Sequence, residues 1–260
     1  MNKDLLYALI QNPYLIPGIY NYCDGWCERC DFTNNCLNYK MMEEGVPDLE
    51  SANSEAEEAM DNLDEMFQIS MELLKQAAKD LGMEMPEKSE DFDSKAEEAK
   101  DDLIFKSSLM TQADSYSDMV DKWFVEFEGL LYVGSGSLKE LLDYTDEEEM
   151  SKEEQDIFNI YEIIRWYQFI IPSKLFRSLR SKAQSEETGN EFYQHDSIAS
   201  GKVALLSIDK SIEAWTVFMH EFPEAEDSML PLLLLLSGLR SLVEKKFPDS
   251  REFIRPGFDI

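Results

Sequence analysis

The segment Ile198–Phe222, IASGKVALLSIDKSIEAWTVFMHEF, carries the clearest helical pattern of the chain. Five of its apolar residues are separated alternately by three and four positions; they are Leu205, Ile208, Ile212, Trp215 and Met219. This spacing places the side chains on one face of an α-helix and is typical of helices that pack in bundles. The segment therefore predicts a long helix that packs against other helices.

The part of the chain before this segment predicts another long helix followed by a linker. Ser151, with Glu154 three residues later, has the capping-box pattern of a helix start. Because proline lacks a backbone N–H, Pro172 is expected to kink or end this helix, which then continues in register to Ala183. The polar segment Ser181–Ser197 predicts a loop or a mobile linker.

Three further long helices are predicted, over about Ser54–Leu81, Ser94–Tyr132 and Glu226–Phe247. No strand pattern of consequence appears, so the predicted fold class is all-α, a helical bundle of about five long helices. The acidic stretch Met42–Ser54 contains Gly45 and Pro47 and predicts a loop. This loop divides the chain into a small N-terminal segment, residues 1–45, and a bundle domain, residues 46–260.

The composition excludes several classes of protein. Asp and Glu number 54 and Lys and Arg 24, so the formal charge is −30. A surface with this much negative charge repels phosphate backbones, which argues against a nucleic-acid-binding protein. We therefore expect any partner to be a protein. The longest apolar run, near Leu232–Leu236, is far shorter than the roughly 20 residues that span a bilayer. The first residues lack the features of a secretory signal, so a cytoplasmic location is expected.

All four cysteines lie within fourteen positions, as Cys23, Cys27, Cys30 and Cys36, with the spacing C-x3-C-x2-C-x5-C. A disulfide framework would distribute its bridges along the chain, and cytoplasmic thiols are kept reduced. Four clustered thiolates can instead surround one metal centre if the backbone folds around it, and Gly25 permits the necessary tight turn. The sequence therefore predicts a metal site with these four cysteines as ligands.

The spacing favours an iron–sulfur cluster over zinc. Structural zinc sites usually combine two C-x2-C pairs that are separated by a longer loop. In this chain only Cys27 and Cys30 form such a pair, whereas short contiguous spacings are typical of four-iron, four-sulfide (4Fe-4S) clusters. We expect a 4Fe-4S cluster, with zinc as the alternative.

Parts of this segment resemble known families. The portion from Cys27 to Cys36 resembles the end of the iron–sulfur staple of RecB-type nucleases and the spacing in WhiB-type regulators. The nuclease active site of carboxylates and lysine has no counterpart in this sequence, so no nuclease activity is implied. The C-x3-C-x2-C beginning resembles the radical-SAM signature, but Cys36 adds a fourth ligand and the strands of an α/β barrel are missing.

The chain as a whole resembles an uncharacterised family of bacterial all-helical proteins with an N-terminal four-cysteine segment. The residues that carry this resemblance are Tyr22–Cys36, Ile164–Tyr167, Phe247–Pro248 and Arg255–Asp259. The resemblance implies a bacterial, cytoplasmic protein and brings no activity with it.

The remainder of the sequence offers no catalytic signature. Neither His195 nor His220 has a Glu three residues before it, so the Glu-x-x-His pairs of di-iron bundles are absent. An enzyme is therefore not predicted. We expect a non-enzymatic protein whose metal acts structurally and whose surface contacts a protein partner. The alternative is a redox protein in which a cluster transfers electrons or senses oxidants.

A basic stripe allows two interpretations. The stripe consists of basic residues spaced three positions apart, with one more nearby: Lys174, Arg177, Arg180 and Lys182. They either pair with acidic neighbours inside the fold or form a docking site for an anionic partner.

Overall fold

The computed structural model describes residues 12–43, 94–134, 136–143 and 150–259. Its helices are α1 (Leu37–Glu43), α2 (Ser94–Phe105), α3 (Ser108–Phe127), α4 (Leu138–Leu142), α5 (Lys152–Thr188), α6 (Glu191–Glu221) and α7 (Glu226–Lys246). Two-residue strands, β1 (Tyr132–Val133) and β2 (Gly136–Ser137), pair antiparallel with Tyr132 opposite Ser137. The predicted all-α class is confirmed. None of the described helices combines the length and the apolar character needed to cross a lipid bilayer.

Two predictions concern residues outside these ranges. The helix predicted at Ser54–Leu81 lies outside the described residues, so the count of five long helices stays a prediction. The domain boundary predicted between residues 45 and 46 also lies there, and it stays a prediction for the same reason.

The described residues fall into two compact units. The N-terminal unit contains residues 12–20, 25–43 and 94–95 with Asp259, and the helical unit contains Asn21–Asp24 and residues 96–258. The helical unit holds almost all of the buried apolar side chains of the described residues. Asn21–Asp24 thus groups with the helices, although the residues on either side of it in sequence do not.

The helix predicted over Ser94–Tyr132 is wrong as a single element. It is divided into α2 and α3, and α3 ends at Phe127. The Ser107 hydroxyl accepts a hydrogen bond from the Met110 backbone N–H at 3.4 Å and caps the start of α3. Serine competes for backbone hydrogen bonds in this way, which favours a new helix start over an uninterrupted helix.

The helix α5 begins as predicted. The Ser151 hydroxyl accepts from the Glu154 N–H at 3.3 Å, and the Glu154 carboxylate accepts from the Ser151 N–H at 2.8 Å. Pro172, however, lies inside α5 and does not end it. Ile171, directly before this proline, and Leu175, three residues after it, are fully buried. Their burial offsets the cost of the missing backbone hydrogen bond.

The linker predicted over Ser181–Ser197 is wrong. The helix α5 continues to Thr188, and α6 begins at Glu191. Gly189 has φ +67° and donates its N–H to the Ser185 carbonyl at 2.8 Å, while Asn190 caps α6 through the Phe192 N–H at 2.9 Å. A glycine in the left-handed conformation followed by an asparagine cap thus makes a two-residue helical hairpin turn.

Small residues line the contact between α5 and α6. The Ser178 hydroxyl donates to the Ser197 carbonyl at 2.7 Å, and the Ser197 hydroxyl donates to the Ser178 carbonyl at 2.9 Å. These two reciprocal bonds satisfy buried hydroxyl groups and hold the two helix backbones close together. Of these two serines, Ser197 lies in the predicted linker and Ser178 in the predicted helix.

Replacing Gly201 by alanine is expected to destabilise the helical unit by about 1 to 3 kcal/mol, because extra volume in a packed contact forces neighbours to move. A Cβ atom at Gly201 would lie 2.5 Å from the Oγ of Ser250 and 3.3 Å from that of Ser178. Ser250 is fully buried, and its hydroxyl donates to the Ile198 carbonyl. The measurement is the free energy of unfolding in urea.

The matched control is Gly238→Ala in α7. A Cβ atom at Gly238 meets no described atom within 4 Å. This alanine is expected to stabilise the protein by about 0.5 to 1 kcal/mol, since alanine favours the helix over glycine. Equal effects of the two substitutions would contradict the close contact at Gly201.

Candidate metal centre

Two short turns shape the cysteine segment. Gly25 has φ +77°, which confirms the predicted tight turn, and its carbonyl accepts the Cys27 N–H at 3.0 Å. Residues Cys27–Arg29 form a 3-10 turn. The Cys30 N–H donates a hydrogen bond to the Cys27 carbonyl at 3.1 Å and closes this turn. The C-x2-C pair therefore sits on a single turn of backbone.

The second turn precedes Cys36. Residues Thr33–Asn35 form a 3-10 turn, and the Cys36 N–H donates to the Thr33 carbonyl at 3.2 Å. The Cys36 carbonyl accepts the Lys40 N–H at 3.0 Å, as the first carbonyl of a helix does. The helix α1 begins at Leu37, and Cys36 lies immediately before it.

The four thiols are all half-buried, and none of them forms a disulfide. The Sγ atom of Cys30 accepts a hydrogen bond from the Phe32 backbone N–H at 3.4 Å. In iron–sulfur proteins, hydrogen bonds of this kind tune the potential of the cluster.

Lys174 is half-buried in the helical unit, the unit that also contains Cys23. Burial lowers the pKa of Lys174 below the usual value for lysine, while Cys23, Asp24 and Asp196 act in the opposite direction.

Asp24 contacts α5 and α6 within the helical unit. The Tyr167 hydroxyl donates to the Asp24 carboxylate at 2.6 Å, and the Trp166 indole N–H donates to the Asp24 carbonyl at 3.2 Å. The Lys210 ammonium donates to the Tyr167 hydroxyl at 2.6 Å and lies 3.5 Å from the same carboxylate. We call Asp24, Tyr167 and Lys210 the Asp24 anchor.

The residues before Cys23 are also held by the helical unit. Arg177 donates to the Asn21 side-chain carbonyl at 3.1 Å, and Arg255 donates to the Tyr22 carbonyl at 3.5 Å. The Tyr22 and Phe253 rings lie 5.8 Å apart between centroids. Residues Tyr22 and Asp24 therefore contact both Trp166–Tyr167 and Arg255. These residues belong to three of the segments on which the resemblance to a bacterial family rests. Sequence analysis missed these contacts, and the one signal for them was the pair of hydrogen-bonding aromatic residues in α5.

The basic stripe is paired inside the fold. Arg177 forms an ion pair with Asp196, Arg180 lies 3.2 Å from Asp101 and 3.5 Å from Glu97, and Lys182 lies 3.1 Å from Glu186. These contacts support the pairing interpretation for Arg177, Arg180 and Lys182.

Tyr167→Phe removes the central hydroxyl of the Asp24 anchor and is expected to lower the free energy of unfolding by about 1 to 2 kcal/mol, since it leaves Asp24 and Lys210 without that partner. Tyr161→Phe is the control, because the Tyr161 hydroxyl makes no hydrogen bond within the described residues. Chemical unfolding measures both variants. Losses of the same size would show that the anchor adds nothing.

The structure places Cys27, Cys30 and Cys36 in the N-terminal unit and Cys23 in the helical unit. Within the described residues, which include all four cysteines, no group of three or more His, Cys, Asp or Glu side chains is arranged to hold a metal ion. No protein-family model, curated protein or solved structure matches this chain.

Proposed function

We propose that this chain is a metal-binding helical protein in which Cys23, Cys27, Cys30 and Cys36 are the ligands. A 4Fe-4S cluster is favoured over zinc. The metal acts structurally, by holding together a segment that is too short to fold on its own. The observation that carries this proposal is that all four half-buried thiols fall within fourteen consecutive residues and form no disulfide.

The chemistry of the donor set supports the proposal. Four thiolates satisfy either a 4Fe-4S cluster or a tetrahedral zinc ion. The Sγ atom of Cys30 accepts a hydrogen bond from the Phe32 N–H, as the sulfurs of metal-bound cysteines commonly do. The left-handed Gly25 turns the backbone between the first two cysteines.

A redox or oxidant-sensing role is the second candidate. Trp26 is buried beside Cys27, and the Arg29 guanidinium lies 4.2 Å from the centre of its ring. Burial, nearby charge and N–H donation to sulfur are the features that set the potential of a cluster. These features support a redox or oxidant-sensing role as the alternative to a structural metal.

The partner is proposed to be a protein rather than a nucleic acid, and the location to be the cytoplasm. The charge of −30 opposes binding to phosphate backbones and suits a basic protein surface. No catalytic role is proposed for any residue.

Anaerobic purification followed by metal and sulfide analysis and a visible spectrum tests the proposal. Equal amounts of iron and sulfide, together with broad visible absorption, would support the 4Fe-4S cluster. One zinc ion per chain in a colourless protein would support zinc. Reversible bleaching by a mild oxidant would favour the sensing role. A chain that contains neither metal and takes up neither on reconstitution would contradict the proposal.

A further inference from the structure

A groove of about 720 Å³ lies on the surface of the helical unit and is lined by the first turns of α5 and the last turns of α6. Its floor is apolar. Ile157 is buried and Ile160 is half-buried, while Val217 is 40% exposed. Volumes of this order accommodate small ligands or a few side chains of a peptide.

The rim of the groove is acidic. Glu153 and Asp156 of α5 and Glu221 of α6 are exposed around the floor. Within the described part of the chain none of these three carboxylates forms an ion pair, and the lining has three negative charges against one positive charge, that of Lys152. Arg177 and Arg180 of the basic stripe, by contrast, are paired with carboxylates of the helical unit. The three rim carboxylates therefore leave the groove with a net negative charge.

We propose that this groove binds a short Lys- and Arg-rich segment of a partner protein, with an apolar side chain on the floor and cationic side chains against the rim. The inference rests on the protein-interaction part of the proposed function and is independent of the metal. A second copy of this chain also carries −30 and would be repelled. A bare metal ion would gain nothing from an apolar floor, whereas an amphipathic basic segment satisfies both parts of the groove.

Fluorescence anisotropy with the full-length protein tests this inference. The probe is a short fluorescein-labelled peptide in which leucines alternate with pairs of lysines. The triple variant Glu153→Gln/Asp156→Asn/Glu221→Gln is expected to bind it about tenfold more weakly, because three surface charge pairs each contribute a few-fold to affinity. The matched control Glu98→Gln/Glu126→Gln/Glu252→Gln removes the same charge from exposed sites outside the groove and is expected to change the affinity less than about twofold.

Val217→Glu separates the groove from general attraction to an acidic protein. It adds a negative charge while it destroys part of the apolar floor, so the groove predicts weaker binding and general attraction predicts tighter binding. Tighter binding in this variant, or equal losses in the two triple variants, would overturn the inference. The Cys30→Ser variant is expected to bind the peptide as the parent chain does, so a failed metal analysis and a failed peptide titration are separate results.

Discussion

The Cys30→Ser variant is expected to contain no stoichiometric metal after anaerobic purification, and the Cys27→Ser variant is expected to behave in the same way. A hydroxyl is a poor ligand for iron or zinc, and three thiolates leave a coordination position open to solvent. Cys30 also loses the Sγ atom that accepts the Phe32 N–H. Iron, sulfide and zinc analysis of the purified variants measures the effect.

Asp31→Asn is the control for this experiment. Asp31 lies between Cys30 and Phe32 and is exposed. It is not proposed as a ligand, and its variant is expected to retain the full metal content. Full retention of metal in Cys27→Ser or Cys30→Ser would remove that residue from the site.

The helical content of the Cys30→Ser variant is expected to stay largely intact. The described helices bury their own apolar faces, which include Ile164 of α5, Leu205 of α6 and Leu236 of α7, all fully buried. Circular dichroism measures this content. Loss of more than about half of the helical signal would show that the metal also supports the helical core.

Trp215→Ala is expected to have the largest effect on stability, about 3 to 5 kcal/mol, which is a large part of the stability of a typical domain. Trp215 is fully buried, and its indole N–H donates to the Tyr116 hydroxyl at 3.0 Å. Its ring lies 5.2 Å from that of Trp123 and 6.0 Å from that of Phe218, between centroids. The truncation leaves a cavity at the centre of this aromatic cluster and removes the donor to Tyr116.

The comparison is Leu234→Ala in α7, where the side chain is 72% exposed. This variant is expected to change the free energy of unfolding by less than about 0.5 kcal/mol, as surface substitutions usually do. Guanidinium unfolding followed by tryptophan fluorescence and by circular dichroism measures both variants. A loss below about 1 kcal/mol for Trp215→Ala would contradict its central place in the core.

Much of the helical unit could be predicted from the sequence because its signals are local. The capping box of Ser151 and Glu154 is a contact across three residues, and the helix ends near Phe222 and Phe247 follow from the prolines after them. Periodicity also placed Trp215 on the buried face. Met219 of the predicted stripe is only half-buried, because the actual face is rotated toward Phe218.

The linker predicted around Gly189 and the kink or helix end predicted at Pro172 both rest on local costs alone. In the folded chain, burial around Pro172 offsets its missing hydrogen bond, and Gly189 with Asn190 closes a hairpin. Local propensity determines the free-energy cost of a proline or a glycine in a helical region. Packing of the neighbouring residues determines whether the folded chain offsets that cost.

The cysteine segment shows the same division between local and distant contacts. The turn at Gly25 involves residues that are close together in sequence, so the sequence was sufficient to predict it. The Asp24 anchor joins Asp24 to Tyr167 across 143 positions, and only the packing of α5 against α6 brings Lys210 to the same carboxylate. A hydrogen bond between residues so far apart leaves no periodic trace in the sequence, because its geometry exists only once the helices are packed.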